Sequence, residues 1–133
     1  MGKQRTPVTD AEREVLKALW DAGPSTVRNV VELLGQRGQQ WTRSTVITLL
    51  QRLEKKGYVA CDRSKFAFVF EASLTREDVA EQRLKELAGE LYAGDAAPLV
   101  LAFAQRHRFT SDEVRQFREL IEQLESKKRK RKR

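Results

Sequence analysis

The 133-residue sequence contains few of the residues that build metal sites, disulfides and catalytic centres. It has one cysteine, Cys61, and one histidine, His107. A single cysteine excludes an intrachain disulfide and a cysteine metal cluster, and it favours a reducing compartment. Glycine-rich phosphate loops, paired metal-ligand motifs and nucleophile elbows are also absent from the sequence. We therefore expect a protein that is not an enzyme and needs no metal or other cofactor.

The sequence also lacks long apolar runs. No stretch approaches the roughly 20 residues that are needed to cross a membrane. The first residues, MGKQRTP, lack the apolar core of a signal peptide. We therefore expect a cytoplasmic protein that does not insert into the membrane.

Charge is distributed unevenly along the chain. There are 26 Lys and Arg residues against 19 Asp and Glu, and the seven residues 127–133 are all basic. Without that tail, residues 1–72 hold 12 basic and 8 acidic groups, whereas residues 73–126 hold 7 basic and 11 acidic groups. A basic first half suits a polyanionic partner, and an acidic second half suits a protein partner or a second copy of the chain.

The stretch 41–57 has the most informative pattern. Val46, Leu49, Leu50 and Leu53 recur at helical spacing and form an apolar stripe that is typical of a core-facing helix. The opposite face is polar, almost without acid, and suited to a DNA groove; its members are Arg43, Ser44, Ile47, Thr48, Gln51 and Lys55. We interpret this stretch as a recognition helix rather than an ordinary surface helix. On it, Ile47 either meets a thymine methyl group or packs locally.

Two helices are predicted ahead of this stretch. A capping box formed by Thr9 and Glu12 starts the first helix, which ends at Gly23-Pro24. Ser25 is predicted to cap the second helix, and a loop over residues 35–40 leads into the third.

A β-hairpin is predicted after the third helix. Residues 58–61 and 66–70 are β-prone runs on either side of the polar turn 62–65. Three helices followed by a hairpin predict a winged helix-turn-helix domain over residues 1–72. Arg63 and Lys65 at the hairpin tip are then expected to reach phosphates or the minor groove.

The second half, residues 73–126, is predicted to form three more helices. Its middle segment, 96–104, is apolar on every side, and such a helix must be buried all round. A three-helix appendage of about 50 residues can hardly achieve this alone, so we predict a dimerisation region that packs against a second copy. The residues expected at that interface are Leu91, Leu99, Val100, Leu101, Phe103, Val114, Phe117, Ile121 and Leu124. The overall fold class is mainly α with a small β-hairpin.

The basic tail, residues 127–133, is predicted to be disordered. It could add weak, salt-sensitive affinity for DNA, or it could be incidental.

Three blocks of sequence carry a family resemblance. They are TDAEREVLKALW, STVITLLQRLEKKGYV, and LYAGDAAPLVLAF with a closing SDEVRQFRELI. Together they resemble the penicillinase repressor family of bacterial winged-helix regulators, the BlaI/MecI type, over about residues 7–125. The resemblance implies a homodimeric repressor that binds a palindromic promoter operator through the winged domain and dimerises through its C-terminal helices.

The resemblance also implies where the operator is contacted, at the start of the third helix. The implied contacts are Ser44, Thr45, Ile47 and Thr48, near Arg43. The rest of the segment 43–52, including Gln51 and Arg52, is expected to lie with them in the major groove. Some relatives have a basic residue where this chain has Ile47, so we expect its operator to differ from theirs.

A further implication concerns induction. In the best-known relatives, a membrane sensor protease cuts the repressor in the apolar helix between an asparagine and a phenylalanine. The corresponding pair in this chain is Ala102-Phe103, which makes that bond a candidate cleavage site and a sensor protease a candidate partner. Copper-responsive relatives carry a C-terminal cysteine cluster, which this chain lacks, so copper sensing is not expected.

The sequence thus predicts a cytoplasmic homodimeric repressor of transcription, with double-stranded operator DNA as its main partner. An alternative from another class is a protein-interaction adaptor whose winged helix no longer binds DNA. An RNA-binding winged helix is a third alternative, but the face predicted to enter the groove has no aromatic residues for base stacking.

Overall fold

The computed structural model describes residues 5–131, which form six α-helices and three short strands. The elements are α1 (Asp10–Ala22), β1 (Ser25–Thr26), α2 (Val27–Gln36), α3 (Arg43–Lys56), β2 (Val59–Asp62), β3 (Val69–Ala72), α4 (Arg76–Leu91), α5 (Ala96–Arg106) and α6 (Ser111–Arg131). The chain forms two compact units, and the boundary between them falls within α4, after Arg83. The mainly helical, winged fold class predicted from the sequence is confirmed.

Local signals in the sequence set the starts and ends of the helices. At α1, the Thr9 hydroxyl accepts the Glu12 N–H at 3.2 Å, and the Glu12 carboxylate accepts the Thr9 N–H at 2.9 Å. This reciprocal pair is the predicted capping box, and it satisfies two backbone donors that the helix leaves free. At the end of α3, Gly57 has a φ of 90°, a left-handed conformation that glycine adopts without a steric penalty.

The core of the first unit lies between α1, α2 and α3. Val46, Leu50 and Leu53 on α3 are fully buried, and Leu49 is nearly so. They pack in one cluster with residues of the two preceding helices, such as Leu16. The predicted apolar stripe of α3 is therefore confirmed, and its burial leaves the opposite face of the helix outward.

The sheet has three antiparallel strands in the order β1-β3-β2, one more than predicted. Ser25, expected to be a helix cap, instead lies in β1 opposite Phe70, and its hydroxyl donates to the Gly23 carbonyl at 2.9 Å. The cap of α2 is Thr26, whose hydroxyl accepts the Asn29 N–H at 3.2 Å. The prediction at Ser25 was wrong because strand β1 forms only by pairing with β3, which is remote in sequence.

The second strand of the predicted hairpin was also placed wrongly. We expected strand structure over residues 66–70, but β3 begins at Val69, which pairs with Asp62. Residues 63–68 form a bent loop instead. The Asp62 carboxylate accepts the Ser64 N–H at 2.9 Å, and this local bond competes with continuation of the strand ladder.

A buried ion pair joins the start of α1 to the end of α3. Glu12 is fully buried, and its carboxylate lies 2.6 Å from the Lys56 ammonium group, which also donates to the Pro7 carbonyl at 3.0 Å. Burial opposes ionisation of Glu12, but hydrogen bonds from Lys56 and Thr9 outweigh it and lower the pKa of the carboxyl. The pair holds the chain before α1 against the helix that bears the polar face.

The second unit, residues 84–131 of the described chain, leaves most of its apolar residues uncovered. No described residue of α5 or α6 is buried. Phe103 on α5 is 59% exposed and Ile121 on α6 is 53% exposed. Within the unit, His107 stacks on Phe103 with ring centroids 4.9 Å apart, and its ring is 4.6 Å from that of Phe109. The segment 96–104 therefore does not obtain, within one chain, the burial that its composition requires.

The basic tail was predicted to be disordered, but its described residues are helical. Helix α6 continues through residues 127–131, while residues 132–133 lie outside the described part of the chain. Lysines and arginines at the C-terminal end of a helix interact favourably with the helix dipole. Arg129 also lies 4.0 Å from Glu125, one turn earlier.

A membrane-spanning helix was not expected. Within residues 5–131, no single helix is long and apolar enough to cross a membrane. Helices α4 and α5 taken together are long and apolar enough to cross a membrane, but the chain bends sharply between them. The match rests on length and composition alone.

Candidate nucleic-acid interface

Hydroxyl groups organise the first turn of α3. The Thr42 side chain caps the helix by accepting the Thr45 N–H at 3.2 Å, and its hydroxyl donates to the Thr45 hydroxyl at 3.0 Å. The Ser44 hydroxyl lies 3.2 Å from the Thr42 hydroxyl. Ser44 and Thr45 are exposed, so this network holds two predicted DNA-binding residues in place at the outward end of the helix.

The Thr48 side chain is exposed one turn further along. Its hydroxyl donates to the Ser44 carbonyl at 3.0 Å. A hydroxyl has one hydrogen and two lone pairs, so Thr48 can still accept a hydrogen bond and can present its methyl group. These are the groups that recognise a base amino group or a thymine methyl.

Three further side chains on this face are exposed and not engaged within the protein. Arg43, Gln51 and Arg52 form no hydrogen bond or ion pair with other residues of the described chain 5–131. Arginine and glutamine are common donors to phosphates and base edges. The outward face of α3 therefore supplies free cations and hydrogen-bond donors beside its hydroxyl groups.

Ile47 is less exposed than its place on the polar face suggested. It is half-buried and packs against the core cluster of the first unit. It also lines a cleft of about 600 Å³ between α3 and the loop 63–68. The sequence left two alternatives for Ile47, and local packing accounts for the buried part of its side chain.

The β2–β3 loop is tied to α3 by Arg63. Its guanidinium group donates two hydrogen bonds of 2.7 Å to the Glu54 carboxylate, one to each oxygen. It also lies over the Phe68 ring, 5.6 Å from the ring centroid. These hydrogen bonds lower the pKa of the Glu54 carboxyl and raise the pKa of the Arg63 guanidinium group. Glu54 is the only acidic residue in α3, and this pairing removes its free negative charge from the face.

The tip of this loop is a compact polar turn. The Asp62 carboxylate accepts hydrogen bonds from the Ser64 hydroxyl at 2.6 Å and from the Ser64 N–H at 2.9 Å, which together lower its pKa. Lys65 follows and is exposed. The turn therefore leaves a basic residue exposed on the loop that Arg63 ties to α3.

Comparison with known proteins agrees with this geometry. Residues 8–123 match the family model of the penicillinase repressor. The chain belongs to the penicillinase repressor family. It is therefore a DNA-binding winged-helix transcriptional repressor and not an enzyme.

Similar proteins cover nearly the whole repressor. The methicillin resistance regulatory protein MecI of Staphylococcus aureus strain N315 is 25% identical over 121 residues, which are 91% of this chain and 98% of that protein. The penicillinase repressor of Bacillus licheniformis is 24% identical over 127 residues, which are 96% of this chain and 98% of that protein. The solution structure of the DNA-binding domain of the repressor BlaI is 28% identical, with a TM-score of 0.50, over 58% of this chain and 93% of that one.

The structure brings several of the predicted DNA-binding residues together at one cleft of the first unit, with a difference at the loop. Arg43 and Gln51 line the same cleft as Arg63, but Arg63 is engaged with Glu54 rather than free. The structure thus gives Arg63 a role in orienting the loop that was not expected from the sequence.

Sequence reasoning missed other residues of this surface. Phe66 and Phe68 line the cleft, as does Arg28 of α2. The sequence predicted a strand for the first two and no functional role for Arg28. The Asp-Arg-Ser segment at 62–64 was the available signal, since such sequences form turns through the aspartate side chain.

The repressor offers no site for a metal among its described residues. Within residues 5–131, no group of three or more His, Cys, Asp or Glu side chains could hold an ion. Cys61 is half-buried in β2 opposite Phe70, and burial raises the pKa of its thiol, which suppresses the reactive thiolate.

Proposed function

We propose that this repressor acts as a homodimer on a palindromic promoter operator. Each copy would place residues 43–52 of α3 in a major groove, with half-site centres one helical turn, roughly 34 Å, apart. Repression would follow because the bound dimer occludes the promoter. The observation that carries the proposal is the outward face of α3, where Arg43, Gln51 and Arg52 have no partner among the described residues.

The face of α3 suggests a division of roles. Arg43 and Arg52 are suited to phosphates or guanine edges, because guanidinium groups bind both through paired hydrogen bonds. Thr48 can recognise a base through its methyl group or as an acceptor, since its only donor hydrogen is already used by the Ser44 carbonyl. Lys65 on the loop is suited to a phosphate beside the groove.

The exposed apolar residues of the second unit support the homodimer. Among those predicted for the interface, Leu91 and Leu101 are 66% and 59% exposed. Large apolar side chains exposed in this number are typical of an interaction site. A second copy is the partner that would also account for tight operator binding. Once one α3 is bound, the linked copy holds the second α3 at a high effective local concentration near the other half-site.

We further propose that proteolysis within residues 96–104 inactivates the repressor. The bond Ala102-Phe103 lies inside α5, with Ala102 half-buried and Phe103 exposed. A protease needs an extended substrate, so this turn of helix would have to unwind before cleavage. Cutting there would divide the dimerisation region and weaken the dimer, and a membrane sensor protease is the candidate agent.

The main proposal is tested by gel mobility shift with the DNA upstream of the repressor's own gene. A scrambled fragment of equal length at matched salt is the control, and sedimentation at micromolar concentration reports the number of copies. We expect a dimer that prefers the promoter fragment. A monomer with equal affinity for both fragments would contradict the proposal, and a dimer that binds neither would favour a protein-interaction adaptor.

The cleavage proposal needs a separate experiment. A recognition sequence for a specific protease can be inserted between Ala102 and Phe103, and operator binding compared before and after cutting. We expect the uncut protein to bind and the cut protein to sediment as monomers and release the operator. Retention of a dimer with unchanged operator affinity after complete cutting would overturn this part.

A further inference from the structure

Phe66 is the most exposed apolar side chain of the first unit. Its relative exposure is 107%, so its ring makes almost no contact with the rest of the protein. Two neighbouring phenylalanines behave differently, since Phe68 lies under the Arg63 guanidinium group and Phe70 is buried in the core. A phenylalanine ring held in water is unfavourable, and nothing in the described fold benefits from its position.

The loop that carries Phe66 is nevertheless well organised. On one side, the Asp62 carboxylate accepts two hydrogen bonds from Ser64. On the other, Arg63 binds Glu54 through both oxygens and so anchors the loop to α3. The ring is therefore presented from a braced turn that is connected to the helix that faces DNA.

The charge around Phe66 indicates the kind of partner that would meet it. The cleft that it lines also contains Arg43, which has no partner among the described residues, and no acidic residue is among its described lining. Arg28 and Arg63 line it too, each paired with a carboxylate outside the cleft, Glu32 and Glu54. Lys65 precedes Phe66 and is exposed. A basic surrounding attracts a polyanion more strongly than the apolar groove of another protein.

We propose that Phe66 inserts its ring from the minor groove between two stacked base pairs beside each operator half-site. The proposal rests on the proposed function, because it requires α3 to occupy the adjacent major groove. Apolar side chains that enter the minor groove act as wedges that partly unstack a base step and kink the duplex. Pyrimidine–purine steps such as TA and CA/TG unstack most easily. Phe66 thereby selects a flexible step next to the half-site without forming a hydrogen bond to it.

The experiment uses the full-length repressor and the promoter fragment that it protects from nuclease. 2-Aminopurine, whose fluorescence rises on unstacking, replaces adenines one at a time in the flanks of each half-site. We expect the native repressor to raise fluorescence at one step in each flank. Phe66→Ala should abolish that rise and weaken operator binding about tenfold, the order of one lost aromatic–base contact. The salt dependence should stay unchanged, because no charge is removed.

Two variants serve as matched controls. Phe66→Leu keeps an apolar wedge and should keep most of the fluorescence rise. Phe68→Leu changes a phenylalanine of the same loop while it keeps an apolar side chain under Arg63, and it should leave the rise in place. Thermal unfolding checks that all three variants fold, which we expect because both rings lie outside the core.

Several outcomes would overturn the proposal. Unchanged affinity and fluorescence in Phe66→Ala would show that the ring does not enter DNA, and a loss of dimer in sedimentation would assign it to a protein contact. Failure of the native repressor to prefer its promoter fragment would instead defeat the proposed function, and the mobility shift detects that failure before any base is replaced.

Discussion

The two units of this repressor differ in how far they bury their apolar residues. The first unit encloses its own core, in which Val15, Leu16 and Leu50 are fully buried. In the second unit, α5 and α6 have no buried residue in the described chain, and Phe117 is 44% exposed. Charge divides the chain at a different point: residues 1–72 are net basic and residues 73–126 are net acidic, whereas the second unit also contains the basic residues 127–131.

This difference in burial places the DNA-binding face and the exposed apolar residues on separate units. A unit with a closed core can present a rigid face to DNA whether or not a second copy is present. A unit with uncovered apolar faces gains stability only when a partner covers them, so its stability depends on protein concentration. Under the proposed function, dimerisation would then control DNA affinity without any change in the DNA-binding face itself.

The largest expected effect comes from breaking the dimer without touching the first unit. Phe117→Asp places a charge on the apolar seam of α6 and should produce monomers. Operator affinity should then fall about 100- to 10,000-fold, the contribution of linked binding at two half-sites. Gln116→Asp adds the same charge beside the seam and should change neither sedimentation nor affinity. Dimers in both variants would contradict the assignment of this interface.

The next effect compares one leucine from each unit. Leu50→Ala should lower the free energy of unfolding of the first unit by about 2 to 5 kcal/mol, because it leaves a cavity in a closed core. Leu101→Ala should cost less than about 0.5 kcal/mol in dilute monomer, where that side chain is 59% exposed. Denaturant titrations at low and high protein concentration measure both. Equal losses in dilute protein would remove the distinction between the units.

The buried ion pair of the first unit gives an effect of intermediate size. Glu12→Gln leaves Lys56 without its carboxylate and should lower the free energy of unfolding by about 2 to 3 kcal/mol. Asp10→Asn, which disrupts the exposed pair with Arg13 at the same end of α1, should cost less than about 1 kcal/mol. Equal losses from the two variants would show that burial does not strengthen the Glu12 pair.

The same pair predicts a dependence on pH. The folded-state pKa of Glu12 is below its ordinary value of 4.5, so the carboxylate's contribution is complete above that value and is lost as pH falls through the lowered pKa. The stability difference between native protein and Glu12→Gln should therefore be constant near neutrality and shrink in acid. A difference that grew on acidification would contradict the assignment.

Loss of a base contact in the first unit should change the free energy of operator binding by as much as Glu12→Gln changes the free energy of unfolding, or by less. Thr48→Ala should weaken operator binding by about 1 to 3 kcal/mol at particular base pairs, with little change on random DNA. Thr48→Val keeps a methyl group and Thr48→Ser keeps the acceptor, so their relative affinities identify which group contacts the base. An equal loss of affinity on random DNA would make Thr48 a phosphate contact instead.

The smallest effect is expected at the far end of the second unit. Deleting residues 127–133 should reduce the slope of log affinity against log salt by about 0.9 for each phosphate that the tail contacts. Sedimentation should be unchanged, since the apolar seam of α6 ends before the tail. An unchanged slope would limit DNA binding to the first unit.

Most of what the sequence predicted correctly depends on neighbours along the chain. The predicted capping box at Thr9 is present. The same pattern occurs at Thr110, where the Glu113 N–H donates to the Thr110 hydroxyl at 3.1 Å and the Thr110 N–H donates to the Glu113 carboxylate at 2.9 Å. The stripe of α3 could be predicted because a helix brings residues three and four apart onto one face. The same rule predicted which polar residues of α3 point outward.

The errors arose where the outcome depended on remote contacts or on competing local bonds. Strand β1 requires β3, and the pairing of Ser25 with Phe70 joins residues far apart in sequence. In the β2–β3 loop, Arg63 is drawn to Glu54 on α3, and Asp62 binds Ser64. A β-prone composition around Phe66 could not reveal these interactions, because strand propensity takes no account of an ion pair between the loop and α3.

The sequence by itself determined the presence of the helices, the capping box of α1, the polar face of α3 and the excess of apolar residues in α5. Each follows from the covalent order of the residues and the period of a helix. Only the tertiary structure decided that Arg63 orients the loop, that Phe66 stands free of the core and that Glu12 meets Lys56. Those outcomes depend on which side chains the packed core brings within a few ångströms of one another, and that proximity is a property of the whole unit rather than of any segment.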